Sequence, residues 1–190
     1  LYLSLVLRPA CPASRAAQLG FVAALAVGDM LSTLDRLLYS RLFYKWPNDV
    51  LVAGRKIAGI LLESEMGSSG ALAFLVVGVG VNLASAPEDA ELPATSVVAE
   101  TGIAPNPLAS LEAFARHFEL WSERWLRDGL APVRAAWRER AVGLGEPIRV
   151  RLDNTTLAGR FIDIDEEGAL LLEIGGERRR IAAGEVFPAA

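Results

Sequence analysis

Along the opening of the chain, Leu1, Leu3, Leu5 and Leu7 alternate with Tyr2, Ser4 and Val6. A period of two predicts a strand with one wholly apolar face and one mixed face. Pro9 and Pro12 bracket a turn, and Ser14 stands where an N-cap is expected. Residues 15–34 are rich in Ala and Leu and predict one long buried helix, in which Gly20 and Gly28 permit close packing. Three extended runs follow at 42–45, 50–52 and 56–63, separated by Pro47-Asn48-Asp49 and Ala53-Gly54-Arg55. These are strong turn signals, and the last two runs predict a hairpin. After a turn at 67–70, residues 71–83 are apolar almost throughout, which predicts an interior strand covered on both faces.

Residues 84–107 carry four prolines (Pro87, Pro93, Pro105 and Pro107) and read as a loop with a short helix near 96–100. An amphipathic helix is predicted over 108–127, with Leu111, Phe114, Phe118, Trp121 and Trp125 on one stripe, and a further helix over 131–140. Beyond Gly143 the texture changes to five short strands at 147–152, 156–163, 169–173, 178–182 and 185–187, parted by Gly- and Asn-bearing turns. Such spacing indicates a small barrel. The expected fold is therefore α/β (α+β): a mixed sheet packed with helices over 1–143, then a small β-barrel over 144–190.

Hydrophobic residues make up 52% of the 190, and mean hydropathy is +0.32, which excludes a disordered chain. No apolar run approaches the roughly 20 residues of a membrane span, so a soluble protein is expected. A single cysteine, Cys11, and a single histidine, His117, exclude a disulfide framework and a Cys/His zinc site and fit a reducing, cytoplasmic setting. The net charge of −4 argues against nucleic acid as a partner. Arg178-Arg179-Arg180 does not reverse this, since the residues from Gly145 onward hold nine acids against six arginines. Leu1 is not a methionine, and the opening strand reads as one already in progress, so the expectation is a polypeptide that continues before it.

Charge type is more telling than charge number. Of 19 basic residues, 17 are arginine, and the two lysines, Lys45 and Lys56, lie close together. Lysine is a compact point charge suited to a carboxylate or phosphate in a tight pocket, although chance placement explains two residues equally well. Gly59 and Gly78 lie within extended runs, where glycine marks tight packing or the close approach of a ligand. Asn82 is a polar residue at the end of an apolar strand. Asn48 and Asp49 are natural turn formers; Asp49 could instead orient Lys45 or hold Mg²⁺ with phosphate oxygens. His117 reads as a packing or surface residue on its helix.

Lys45-Trp46-Pro47-Asn48-Asp49-Val50, then Gly54-Arg55-Lys56-Ile57-Ala58-Gly59-Ile60-Leu61-Leu62-Glu63, then Val77-Gly78-Val79-Gly80-Val81-Asn82, together resemble biotin–protein ligase. The order and spacing of the three segments is more specific than any one of them, and the resemblance extends over nearly the whole chain. It implies an α/β catalytic domain with an SH3-like C-terminal barrel. It also implies activation of biotin with ATP to biotinyl-5′-AMP, then transfer to a lysine of a biotin carboxyl carrier protein. On the resemblance, Lys56 is the catalytic, carboxylate-contacting residue, and Gly59, Gly78, Tyr2 and Ser4 line the biotin pocket. Lys45, Asn48, Asp49 and Asn82 fall on the ATP side, with Mg²⁺ at Asp49, and a homodimer is admitted. The family's Gly/Arg-rich biotin loop would precede Leu1. A lipoate or octanoyl ligase on a related fold, and an inactive carrier-binding module, remain the alternatives.

Overall fold

In the computed structural model, which describes every residue except Ser69, Gly70 and Ala190, the alternating N-terminal run forms β1 (Tyr2–Leu7). It is followed by α1 (Ala13–Ala16), α2 (Leu19–Leu34), α3 (Arg36–Ser40), β2 (Leu42–Lys45), β3 (Asp49–Val52), β4 (Arg55–Met66) and β5 (Leu72–Val81). Then come α4 (Val97–Thr101), α5 (Pro107–Asp128) and α6 (Leu130–Arg138). The C-terminal strands are β6 (Pro147–Arg151), β7 (Thr156–Ile164), β8 (Leu170–Ile174), β9 (Glu177–Ile181) and β10 (Glu185–Pro188). The turn predicted at 67–70 lies partly outside the described residues.

The first sheet has the order β1-β5-β4-β3-β2, and its strand pairs are antiparallel. The mixed sheet expected from the sequence is thereby corrected. Strands β2 to β5 follow one another through short turns, which permit only an antiparallel return, and among the described residues the parallel contacts are the isolated bridges Tyr44–Ala141 and Lys56–Ala94. Ala53 (φ 51°) and Gly54 (φ 75°) turn β3 into β4, and two successive left-handed residues match the twist of a tight hairpin.

The long N-terminal helix is broken. Ser14 lies inside α1 rather than capping it, and α2 begins separately after Gln18. The helical run Ala13–Leu34 has the length and apolarity of a membrane span, with a mean hydropathy of 1.5, contrary to the expectation that no such run exists. Two-thirds of its most apolar window is buried inside the protein, so the apolarity is that of a core helix between the sheet and α5. Helix α3 is not legible in the hydrophobic pattern; it is started by Asp35, whose carboxylate accepts from Leu37 N–H at 2.7 Å.

Strand β5 is interior but covered on one face only. Leu75, Val77, Val79 and Val81 are buried on the helix side, whereas Phe74, Val76, Gly78 and Gly80 alternate with them on a partly open face. The second sheet, a meander in the order β10-β6-β7-β8-β9, is the small SH3-like β-structure that was expected. It shares one hydrophobic cluster with the first sheet and its helices. Trp46 Nε1 donates to Gly168 O (3.1 Å), and Gln18 Nε2 donates to Glu166 O (3.2 Å). The other end of the Gln18 amide accepts from Trp125 Nε1 at 2.8 Å, so one buried side chain ties α2, α5 and the C-terminal sheet together.

Gln18→Ala leaves the buried Trp125 N–H without its acceptor, and a buried unsatisfied group costs about 1–3 kcal/mol, whereas the exposed Glu166 carbonyl turns to water. Urea unfolding should show a loss of about 1–3 kcal/mol, and a loss below the reach of the measurement would show that this amide is not the tie.

Candidate functional site

The open face of the first sheet is organised in rows by its register. Tyr2, Gly80 and Gly59 lie side by side across β1, β5 and β4; Ser4, Gly78 and Leu61 form the next row. A methyl group at Gly78 would stand 3.4 Å from Leu61 O, and one at Gly80 would stand 3.4 Å from Tyr2 Cε1. Both are ordinary contacts, so packing within the sheet does not demand glycine at either position. Glycine in a strand interior costs about 0.5–1 kcal/mol relative to alanine, and what it secures here is a floor of bare backbone.

Two clefts open over this floor. The first, of about 550 Å³, is lined by Ser4, Asn48, Leu61 and Gly78 among others; the second, of about 240 Å³, by Asn82, Pro87, Ala90 and Ala94. They share Tyr2, Lys56, Gly59 and Gly80, and of these Lys56 alone carries a charge. A larger groove of about 680 Å³ runs between the sheets and touches the first cleft at Asn48, Ile60 and Leu61, but its Arg180 is already paired with Asp165 and Glu167.

Lys56 is held from three directions. Its backbone N–H donates to Pro93 O and its carbonyl accepts from Thr95 N–H, which anchors the end of the 84–96 loop beside it. The buried Glu100 carboxylate gathers Arg55 (2.6 Å), Arg41 (3.1 Å) and Thr95 Oγ1 (2.7 Å), fixing the start of β4 against α4. The Lys56 ammonium lies 2.5 Å from Asp49 Oδ1, an ion pair without hydrogen-bond geometry. A methyl group at Gly59 would come within 3.2 Å of Lys56 Cε, so this glycine leaves space for the lysine tip as well as for the cleft.

Asp49 also accepts from Lys45 Nζ at 3.4 Å, and Asp49 and Lys45 are each 4% exposed. Lys45 was expected at the nucleotide, but it lines neither cleft. It is buried behind Asp49, 4.0 Å from Glu185 and 5.4 Å from the centre of the Phe187 ring. The magnesium expected at Asp49 does not fit this arrangement either. Both carboxylate oxygens face ammonium groups, so neither is open to a cation while both lysines stay in place.

Tyr2, Ser4, Asn48, Gly59, Gly78 and Asn82 each line one or both clefts. Asn48 Nδ2 donates to Ile60 O (2.8 Å), pinning the turn before β3 to β4. Asn82 Nδ2 donates to Thr95 O (3.0 Å) and Lys56 O (3.4 Å), which uses both amide hydrogens and leaves only an acceptor for a ligand. Gly80 and Leu61 were missed, although each follows a recognised glycine by two positions and so shares its face. Pro87, Ala90 and Ala94 carried no signal beyond a proline-rich loop.

An ammonium that borders two clefts, paired with a single carboxylate above backbone amides and apolar side chains, suits two anions or two parts of one anionic ligand. Fold and site thus define an α+β protein with an open-faced cleft around one lysine, continued by a small antiparallel sheet. The sequence model of the Biotin/lipoate A/B protein ligase family matches residues 1–139, and that of the Biotin protein ligase C terminal domain matches 143–187. The chain belongs to the biotin/lipoate A/B protein ligase family.

Among its relatives, the biotin–[acetyl-CoA-carboxylase] ligase of Paracoccus denitrificans is 47% identical over 97% of this chain and 78% of its own length. That of Mycobacterium tuberculosis is 35% identical over 88% of this chain and 61% of its own. The bifunctional ligase/repressor BirA of Bacillus subtilis is 29% identical, and the chain spans 57% of it. In fold, the chain is similar to a mutant biotin protein ligase of Aquifex aeolicus in complex with biotin, with TM-score 0.83 and 21% identity, over 99% of this chain and 78% of that one.

Removing Asp49 leaves the buried Lys45 without its carboxylate, and breaking a buried pair from one side costs about 3–5 kcal/mol. Asp49→Ala should therefore lower unfolding stability by that order. Lys56→Ala should cost only about 1 kcal/mol or less, because the Lys56 side chain is 37% exposed and solvent screens it. Denaturant titration of both variants checks the ranking, and equal losses would contradict it.

Proposed function

We propose that this protein is an ATP-dependent biotin–protein ligase whose first cleft takes biotin and whose second takes the adenosine of ATP. The observation that carries the reading is that Lys56 is the single charged residue common to both clefts. The names of the relatives and the C-terminal family match favour biotin over lipoate as the substrate.

In the first step a biotin carboxylate oxygen attacks the α-phosphorus of ATP. The α–β phosphoanhydride bond breaks, pyrophosphate leaves, and biotinyl-5′-AMP remains. Two anions must approach, and a fixed ammonium stabilises the charge that builds between them. Asp49 sets the position of that ammonium, and Lys45 sets Asp49, so Lys45 acts on the nucleotide only at second hand. Asn82 offers its acceptor oxygen to the nucleotide, while Asn48 and Ser4 border the biotin side. Gly59, Gly78 and Gly80 let the ligand lie against backbone, with Tyr2 at the boundary. In the second step a carrier lysine amine attacks the acyl carbon, AMP departs with the bonding pair, and the amine proton passes to solvent. Lys56 polarises the same carbonyl. Any Mg²⁺ that accompanies ATP would be held by the nucleotide's phosphates rather than by Asp49, and would supply charge neutralisation there.

The acceptor we propose is a biotin carboxyl carrier protein, the assembly a homodimer and the compartment the cytoplasm. The catalytic unit corresponds to 1–143 and the C-terminal β-domain to 144–190.

Lys56→Ala should reduce biotin-dependent pyrophosphate release about 10²–10³-fold, the usual loss for one such electrostatic contact. An unchanged rate at saturating biotin and ATP would remove Lys56 from the mechanism. Gly78→Val should abolish biotin binding by calorimetry while the protein still unfolds cooperatively; intact binding would move biotin off the Ser4–Gly78–Leu61 row. Activation of lipoate in place of biotin would favour the alternative ligase reading, and folded protein without adenylation would favour a carrier-binding module.

A further inference from the structure

One wall of the second cleft is formed by Pro87 and Ala90, in the loop between β5 and α4. The far end of that loop is well fixed: residues 93–95 bond to Lys56, Asn82 bonds to Thr95, and Ser96 Oγ donates to Ala84 O at 3.3 Å. Residues 85–92 are different. Among the described residues, no backbone hydrogen bond holds this stretch, and its polar contacts are those of a single side chain, Glu91. Arg151 on β6 of the C-terminal sheet grips the Glu91 carboxylate with both arms, Nη1 to Oε1 at 2.5 Å and Nη2 to Oε2 at 2.9 Å. Arg151 is itself braced, since it pairs with Glu185 on β10 and its guanidinium lies 4.8 Å from the centre of the Phe187 ring.

The chemistry suits a positioning device. A forked guanidinium fixes a carboxylate in direction as well as distance, which a lysine cannot do. Glu88, Asp89 and Glu91 make this wall acidic, an unfavourable neighbour for a nucleotide triphosphate. Pairing with Arg151 draws the Glu91 charge away toward the C-terminal sheet and holds its carboxyl below the usual carboxylate range.

Resting on the ligase reading above, we propose that Arg151 is a positioning residue: through Glu91 it latches the 85–92 wall onto the C-terminal sheet and so preorganises the nucleotide cleft. Arg151 lines neither cleft and touches neither Lys56 nor Asp49, but it shares Glu185 and Phe187 with Lys45. Glu91→Ala leaves that cluster whole, so loss of Glu91 should weaken use of ATP while leaving use of biotin alone.

The test uses the full-length protein with Arg151→Ala, Glu91→Ala, the double variant and Arg151→Lys. Backbone order parameters of residues 85–92, measured without ligands by ¹⁵N relaxation, read the latch directly, since a stretch with no backbone hydrogen bonds has little exchange protection to lose. They should fall in both single variants and no further in the double. In pyrophosphate release, KM for ATP should rise about two- to fivefold, the scale of a half-exposed ion pair, with KM for biotin unchanged. Arg151→Lys should restore only part of the effect, because it keeps the charge and loses the fork. Unchanged order parameters, or lowered ones with an unchanged KM for ATP, would overturn the proposal. So would equal rises in both KM values, which indicate general loosening. A wild-type protein that releases no pyrophosphate with biotin would instead overturn the ligase reading, whatever the relaxation experiment shows.

Discussion

A carboxylate shut away from water between two ammonium groups governs the rest of the site. Asp49 is 4% exposed, with Lys45 behind it and Lys56 in front. An isolated buried carboxylate would be costly, and the carboxylate in turn offsets the mutual repulsion of the two lysines. The turn at Pro47–Asn48 therefore has to deliver Asp49 to one place, and Asn48 does so by hydrogen bonding across to Ile60. The C-terminal sheet enters through the same group, since Lys45 reaches toward Glu185 and Phe187. A surface lysine would sweep a wide arc; Lys56 is tethered at the boundary of two clefts.

The open face follows from a second constraint. Helix α2 covers one side of the sheet, with α5 and α6 packed on α2 behind it, and the apolar series Leu3–Val79–Ile60 and Leu5–Val77–Leu62 lies on that side. On the other side, glycines at 59, 78 and 80 keep the floor low enough for a ligand to touch backbone. The loop after β5 and the fork of Arg151 raise the wall at one end. Scaffold and cleft are thus two faces of the same strands, separated by the period-two alternation of their side chains.

Much of this is legible in the sequence, for physical reasons that differ by element. The alternation at 2–7 and the aromatic stripe from Phe114 to Trp125 identify strand and helix because periodicity reports burial directly. The break after Ala16 escapes because Gln18 looks like any polar residue until the C-terminal sheet is placed against it. The strand predicted over 71–83 reads as covered on both sides because its partly open face carries the apolar Phe74 and Val76 beside Gly78 and Gly80, which show no polar signal. At the site, Lys56 and the glycines stand out by residue type and spacing. The role of Lys45 does not, because whether a lysine points into a cleft or beneath it is decided by tertiary contacts from residues more than a hundred positions away.

The account turns on Lys56 standing between two ligand halves. A crystal structure with biotinyl-5′-AMP tests this most directly. The acyl-phosphate link should lie within hydrogen-bonding distance of Lys56 Nζ, with the biotin rings over the Ser4–Gly78–Leu61 row and the adenosine beside Asn82 and Ala90. A ligand bound in the groove between the two sheets, or one whose acyl-phosphate lies beyond the reach of Lys56 while that lysine stays paired with Asp49, would contradict it.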